Sequence, residues 1–409
     1  MVNKFLYPRG GAESYMLSLG EGLKKLGHEV GYFGMYDEKN TVGNSLGLNT
    51  QNMDFHSKSA ERFLYPFKII YSREAYKKIG LVLDAFRPDV VHMNNINFQL
   101  TPSIIYAVKK RGIPLVQTVH DYQMICPNHL LYNFTENRPC TRCIGRGKSN
   151  CVKYGCIHGS KAKSIIGVLE SALYRALGTY RLPDLYICPS RFLETKLREE
   201  SDIYDGKTLM LHNFVATPQK SEIRINEPQY PKMRPYVLFA GRFSYEKGVT
   251  VLVETAKRLP QYDFIFAGSG PLESELCDAD NIKNIGFLGA DSLTEIMRNA
   301  AVVAVPSVWY ENCPLTILEA FSLGTPVVAV NSGGMAELVS DGVTGTLAKD
   351  AAPECFAEAI EKMLSDEKKY AFLKENCEKR KSEILTSAKY CEILVGKYKE
   401  LVERNGGKS

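Results

Sequence analysis

Short apolar runs alternate with amphipathic stretches along most of this chain, most clearly in its second half. "YVLFAG" (236–241), "YDFIFAG" (262–268), "AVVAVPS" (301–307) and "TPVVAV" (325–330) are rich in Val, Phe and Ala. Between them lie amphipathic segments such as "GVTVLVETAKRL" and "SLTEIMRNA". Apolar strands separated by helices predict a parallel sheet covered on both faces. The first half repeats the style more loosely in "HEVGYF" (28–33), "PDVVHMN" (88–94), "PLVQTVH" (114–120) and "PDLYICPS" (183–190). The fold class expected is therefore α/β: two doubly wound, Rossmann-like domains facing across a cleft, with ligands at the carboxyl ends of the strands.

A length of 409 residues also calls for two domains. The polar, proline-rich stretch 214–235 reads as a linker. It would separate a first domain over 1–213 from a second over 236–385, with a closing helix over 386–409 that packs back on the first. With 51 basic and 46 acidic side chains the net charge is +5, which suits a phosphate-bearing ligand or an anionic membrane surface. It makes no case for nucleic acid. No apolar run of membrane-spanning length appears, and "MVNKFLYPRGG" lacks the core of a signal peptide. Eleven cysteines, an odd number, point to a reducing cytosol and make the Asn133-Phe134-Thr135 sequon incidental.

Candidate chemistry gathers in "SVWYENCPLTILEAFSLGTPVVAV" (307–330), where Glu311 and Glu319 flank Pro314. Pro314 suits the first position of a helix running to about Leu323 and stopped by Gly324. Free backbone N–H groups around Leu315 and Thr316 would then form a phosphate site. Glu319, further along that helix, could accept two ribose hydroxyls. Taken alone, the window allows equally the plain reading, in which Glu319 is a solvated helix acid and Glu311 a loop acid. In "FAGRFSYEKG" a strand ends at Gly241, and Arg242 and Lys247 follow. Two cations there suit the charge that builds on a departing diphosphate, although isolated cations more often form surface ion pairs. Gly268-Ser269-Gly270 is either a ligand loop or a turn. Gly333 and Gly334 let bare backbone approach a ligand.

In this order and spacing the motifs resemble the retaining glycosyltransferases of the GT-B fold, in the class with a Glu, seven residues and a second Glu (family 4, group 1). The resemblance runs from "RGGAE" to the glycine-rich turn near 345. It implies transfer of a sugar from a nucleotide-diphosphate sugar to a glycan or lipid-linked acceptor, in bacterial-type polysaccharide or cell-surface glycan synthesis. His120, Arg242, Lys247 and Glu311 would form the catalytic set, His120 and Glu311 beside the donor sugar and the two cations on its diphosphate. Gly10, Gly11, Gly241, Gly268, Pro314, Leu315, Thr316 and Glu319 would hold the donor, Glu319 through its ribose. The acceptor oxygen would attack the face the leaving group departs from, and no cofactor is needed for catalysis. Asp278-Ala279-Asp280 follows an amphipathic helix and reads as a polar loop. A nucleotide-sugar epimerase or hydrolase on the same fold, or an inactive nucleotide-sugar-binding regulator, are the competing readings. The chain departs from the family at "MVNKFLY", where the first strand is short or the start codon late. It departs again at Cys313, which reads as a small buried residue.

Two segments lie outside that pattern. Cys140, Cys143, Cys151 and Cys156, in an insert near 126–158, suit a structural zinc, or else form a loop of free thiols near the acceptor entrance. The stretch 58–80 mixes apolar residues with Lys58, Arg62, Lys68, Arg73, Lys77 and Lys78. It would give weak contact with a membrane surface, or pack on its own sheet. The place expected is the cytoplasm, with contact to the inner face of the plasma membrane.

Overall fold

A computed structural model describes residues 1–52, 69–215, 234–276 and 279–406. The first of two units takes in Met1–His212 and Ser387–Ser409. Its elements run α1 (Gly11–Lys25), α2 (Arg73–Phe86), β1 (Val91–Met93), α3 (Ser103–Lys109), β2 (Leu115–Thr118), β3 (Tyr132–Asn133), β4 (Arg138–Pro139), α4 (Ser149–Lys153), α5 (Lys161–Ala176), β5 (Leu185–Cys188), α6 (Arg191–Glu200) and β6 (Thr208–Met210). The sheet has the order β1-β2-β5-β6 and is parallel throughout, while β3 and β4 form a separate hairpin. The chain enters this sheet at Val2, which bridges Met93 on one side and Phe33 on the other. "HEVGYF" therefore contributes a single bridge where a strand was expected, because Glu29 and Gly31 dilute its β-forming residues. The Met1 amine donates to Gly31 O at 2.8 Å, and burial pushes its pKa down to about 5. Beside it lies a cavity of about 470 Å³ lined in part by Gly31 and Val91.

The second unit, Asn213–Thr386, carries β7 (Tyr236–Ala240), α7 (Val249–Arg258), β8 (Asp263–Ala267), β9 (Ile282–Gly286), α8 (Ala290–Asn299), β10 (Val302–Val305), α9 (Leu315–Ser322), β11 (Val327–Val330), α10 (Met335–Leu338), β12 (Gly345–Ala348), α11 (Pro353–Leu364) and α12 (Glu367–Arg380). The parallel order β12-β11-β10-β7-β8-β9 winds outward both ways from its centre, so its switch point falls between β7 and β10. Ligands on such sheets sit at that point. Side chains of β7, β8, β10 and β11 pack with Ile317, Phe321, Phe356 and Ile360 into one core. The edge strand β9 escaped the apolar pattern because Lys283 and Asn284 occupy its middle.

A last helix, α13 (Ser387–Arg404), belongs to the first unit and buries Tyr390, Cys391 and Leu394. Most of the linker stretch lies outside the described residues, as do Lys58, Arg62, Lys68 and Asp278. The described part of the basic stretch is α2, whose Ala75, Ile79, Val82 and Leu83 join the core of its own unit.

In the cysteine-rich insert, Lys148 is anchored by Glu200 of α6 at 2.7 Å, with both side chains almost fully buried. Its ammonium also donates to the carbonyls of Ile125 and Cys143. Removing one member of a buried, hydrogen-bonded pair leaves the other charge stranded, which costs about 3 kcal/mol. Lys148→Met should therefore lower the denaturant midpoint clearly, and Lys148→Met with Glu200→Leu should recover part of the loss. Equal midpoints in Lys148→Met and wild type would contradict this anchoring.

Candidate active site

Two loops meet at the switch point of the second unit. The loop after β7 carries Gly241, Arg242 and Lys247, and that after β10 carries Ser307, Trp309 and Glu311. Lys247 ends a short 3-10 turn, and Gly248 behind it has φ +74° and leads into α7. A Cβ at Gly248 would lie 1.9 Å from Pro306 O, so only glycine lets the two loops close on each other. Lys247 Nζ then reaches Glu311 Oε1 at 2.6 Å. Ser307 Oγ and Trp309 Nε1 donate to the same oxygen at 2.8 Å each. The three donors come from Lys247 and from alternate positions of one loop. Backbone fixes the acid from behind, where Gly334 N donates to Glu311 O at 2.8 Å.

Burial alone would raise the Glu311 pKa, but Lys247 and the three hydrogen bonds outweigh it, and the carboxyl is held below its usual value. Glu311 is therefore an anion in a nearly dry setting. The Lys247 ammonium also stands 5.5 Å from the centre of the Trp309 ring.

The second acid has the opposite environment. Glu319 lies in α9, half-buried, and burial raises its pKa. Among the described residues no ion pair or side-chain hydrogen bond engages its carboxylate. Helix α9 begins at Leu315, and Pro314 (φ −66°, ψ 122°) is its N-cap, one position earlier in role than expected. No side chain caps this helix start, and Thr316 Oγ1 donates to Ala240 O at 3.4 Å, joining it to the end of β7. Gly268 is a close-approach residue: its Cβ would fall 1.9 Å from Gly241 O. Arg242 is exposed just after β7, and among the described residues its side chain makes no ion pair with an acid. The Cys313 thiol is buried and pushed up to about 12, and it accepts from Asn213 N at 3.4 Å, which makes it a packing residue.

In the first unit, Gly10 caps α1 and Gly11 opens it, both exposed, with Glu13 buried behind them. His120 follows β2. Its Nε2 pairs with Asn94 Oδ1 at 3.0 Å, its ring makes a T-shaped contact with that of Tyr15 at 4.8 Å between centres, and burial pushes its pKa down to about 3. It is a neutral imidazole. Tyr15 OH in turn bridges Thr118 Oγ1 at 3.0 Å and Tyr390 OH at 2.8 Å. His92 joins the same Thr118 hydroxyl at 2.7 Å and meets Tyr398 OH on its other side. Ser307, Trp309, Asn94 and Tyr15 were not singled out by sequence reasoning. The alternation of Ser307, Trp309 and Glu311 was a legible signal for the first two.

The cysteine insert brings three of its four candidate thiols together. Among the described residues no group of three or more His, Cys, Asp or Glu side chains is set to hold a metal ion. Cys143, Cys151 and Cys156 share a buried apolar cluster packed by Tyr154, Ile157 and Val168, and Cys140 stands outside it, half-buried. In the turn after α4 Cys156 N bonds Cys151 O at 3.0 Å, and the thiols of the two residues are hydrogen-bonded to each other.

Residues 9–218 match the family model described as Glycosyltransferase Family 4, and residues 220–380 match Glycosyl transferases group 1. An uncharacterized glycosyltransferase of Methanocaldococcus jannaschii is 24% identical over 376 residues, covering 87% of this chain and 86% of that protein. The sucrose-phosphate synthase of Thermosynechococcus elongatus superposes with a TM-score of 0.70 at 18% identity, over 98% of both chains. Anabaena HepE in complex with UDP does so with a TM-score of 0.65 at 17% identity, again over 98% of both. The fold is the two-domain α/β arrangement called GT-B.

The two acids should respond oppositely to neutralisation. The Glu311 carboxyl has a depressed pKa, so its charge stabilises the fold above the unfolded value of 4.5, and the gain fades as pH falls through the folded value. The Glu319 carboxyl has a raised pKa, so above that value its buried charge opposes folding. At pH 7.5, Glu311→Gln should lose about 1.5 kcal/mol, while Glu319→Gln should gain about 0.5 kcal/mol. Urea midpoints taken from pH 7.5 toward 4 should show both differences shrinking. Destabilisation by both variants at neutral pH would refute the assignment of Glu319 as an unpartnered acid.

Proposed function

The chain belongs to Glycosyltransferase Family 4, and from that premise we propose that it is a retaining transferase acting on a nucleotide-diphosphate sugar. The observation that carries this reading is the pairing of Lys247 with a buried, ionised Glu311 beside a helix start that no side chain caps. A diphosphate at the Leu315–Thr316 N–H groups would draw Lys247 toward it. Glu311 would then be left facing the donor sugar, and the unpartnered Glu319 would receive the ribose hydroxyls. UDP in the Anabaena neighbour supports a nucleotide donor of this kind.

In the proposed reaction the acceptor oxygen forms its bond to the anomeric carbon on the face from which the diphosphate leaves. The carbon–phosphate-oxygen bond breaks, and the acceptor proton passes to the departing diphosphate. Lys247, with Arg242 from the same loop, stabilises the charge that grows there. His120 is neutral and lends a hydrogen-bonding group to the sugar without adding charge. Gly10 and Gly11 offer bare backbone in the first unit, to which we assign the acceptor, a glycan or lipid-linked sugar of cell-surface polysaccharide synthesis on the cytoplasmic side. Among the described residues no helix is long and apolar enough to cross a membrane. An epimerase or hydrolase would release nucleotide or isomerised sugar without an acceptor.

Lys247→Ala should lower kcat by about 10²- to 10³-fold with a modest change in donor KM, because its charge contact strengthens as the diphosphate departs. Glu319→Gln should instead raise donor KM, since a ribose contact persists throughout. Nucleotide release should require acceptor and survive chelation of divalent ions, and NMR should show the product with the donor's anomeric configuration. Inversion, or wild-type kinetics in both variants, would overturn this reading.

A further inference from the structure

Helix α5 follows the cysteine insert and turns one face inward, burying Ser164, Gly167, Glu170, Ser171 and Tyr174. Its other face is apolar and uncovered. Ile165, Leu169, Leu173 and Leu177 are 47, 55, 37 and 56% exposed. Four-residue spacing stacks these side chains into a stripe along the helix, within an arc of about 120° at 100° per residue. Single exposed aliphatics are ordinary, but four in one row form a patch that needs a partner.

Charge around the stripe narrows what that partner is. Lys161 and Lys163 are exposed in the first turn, which contains no acid, although a helix N-terminus repels cations. Arg175 is exposed toward the other end, and its bond to Arg146 O at 3.3 Å brings the exposed Arg146 loop beside it. Arg175 also contacts Glu200 at 3.3 Å, but Lys148 already neutralises that acid at 2.7 Å. The single acid of α5, Glu170, is buried on the inward face, so the outward face carries cations and no anion. A second copy of this chain docked antiparallel would set these cations against their own kind. An anionic lipid surface accepts both the aliphatic row and its basic ends.

We propose that α5 is a membrane-docking surface, which lies in the acyl–headgroup boundary of anionic bilayers with Ile165, Leu169, Leu173 and Leu177 inserted and Lys161, Lys163, Arg146 and Arg175 against lipid phosphates. This surface shares no residue with the proposed transfer site. The test is co-sedimentation of the full chain with vesicles of phosphatidylcholine alone and of phosphatidylcholine mixed with phosphatidylglycerol. Wild type should favour the mixed vesicles by roughly tenfold or more, less so at high salt. Lys161→Glu with Lys163→Glu should remove most of that preference, and Leu169→Gln with Leu173→Gln should abolish binding to both. Both variants should keep their circular dichroism and their turnover of a soluble acceptor. Absence of turnover in every form would count against the transferase reading alone. Vesicle affinity missing in wild type, or unchanged in the variants, would overturn the docking surface. A wild-type dimer that Leu169→Gln with Leu173→Gln dissolves would also overturn it, making the stripe an interface between copies.

Discussion

Lys247 and Glu311 are separated by 64 positions and meet at 2.6 Å because β7 and β10 are neighbours at the point where the sheet changes its winding. That adjacency is the constraint from which the site follows. It sets one loop's cation against the other loop's anion, and it requires glycine at 248, where any larger residue would strike Pro306. Ser307 and Trp309 bring their donors to the same oxygen, so an acid in low dielectric remains charged. Glu319, in the same unit, has no such company among the described residues, and the contrast between the two acids is what gives each a distinct chemical character.

The first unit solves a different problem, which is holding imidazoles neutral among buried hydroxyls. Tyr15, Thr118, His92, Tyr390 and Tyr398 satisfy one another, and the Tyr15 ring packs in a T-shaped contact on His120. Two of those hydroxyls come from the last helix of the chain, so residues near 390 and 398 help set a side chain at 120. Buried polar groups tolerate such an arrangement only when every member is partnered.

Much of this was legible in the residues. The uniformly apolar runs located β7, β8, β10 and β11, since strands covered on both faces need no polar positions. The spacing of Glu311 and Glu319 around Pro314 pointed to a helix start with an acid on either side. What pattern could not convey was company. Nothing local to Arg242 and Lys247 distinguishes the exposed cation from the one that meets an acid, because the difference lies in a loop some sixty residues away. The cysteine spacing could not convey which thiols share a cluster, because the turn after α4 brings Cys156 to Cys151 while Cys140 stays half-buried outside the apolar group. Edge elements such as β9 carry polar residues and so lack the signature that burial imprints.

The placement of α13 has a bearing on biosynthesis. The first unit is discontinuous, and its final helix is translated only after the whole of Asn213–Thr386. At roughly 5–20 residues per second, the ribosome needs on the order of 10–40 s to supply it. Through that interval α1 waits with the surface that Tyr390 and Cys391 will cover, and the Tyr15 hydroxyl lacks the Tyr390 hydroxyl it will meet. The second unit, continuous in sequence, can fold first while still attached to the ribosome. The nascent first half is then the part of this protein most exposed to chaperones and proteases during synthesis.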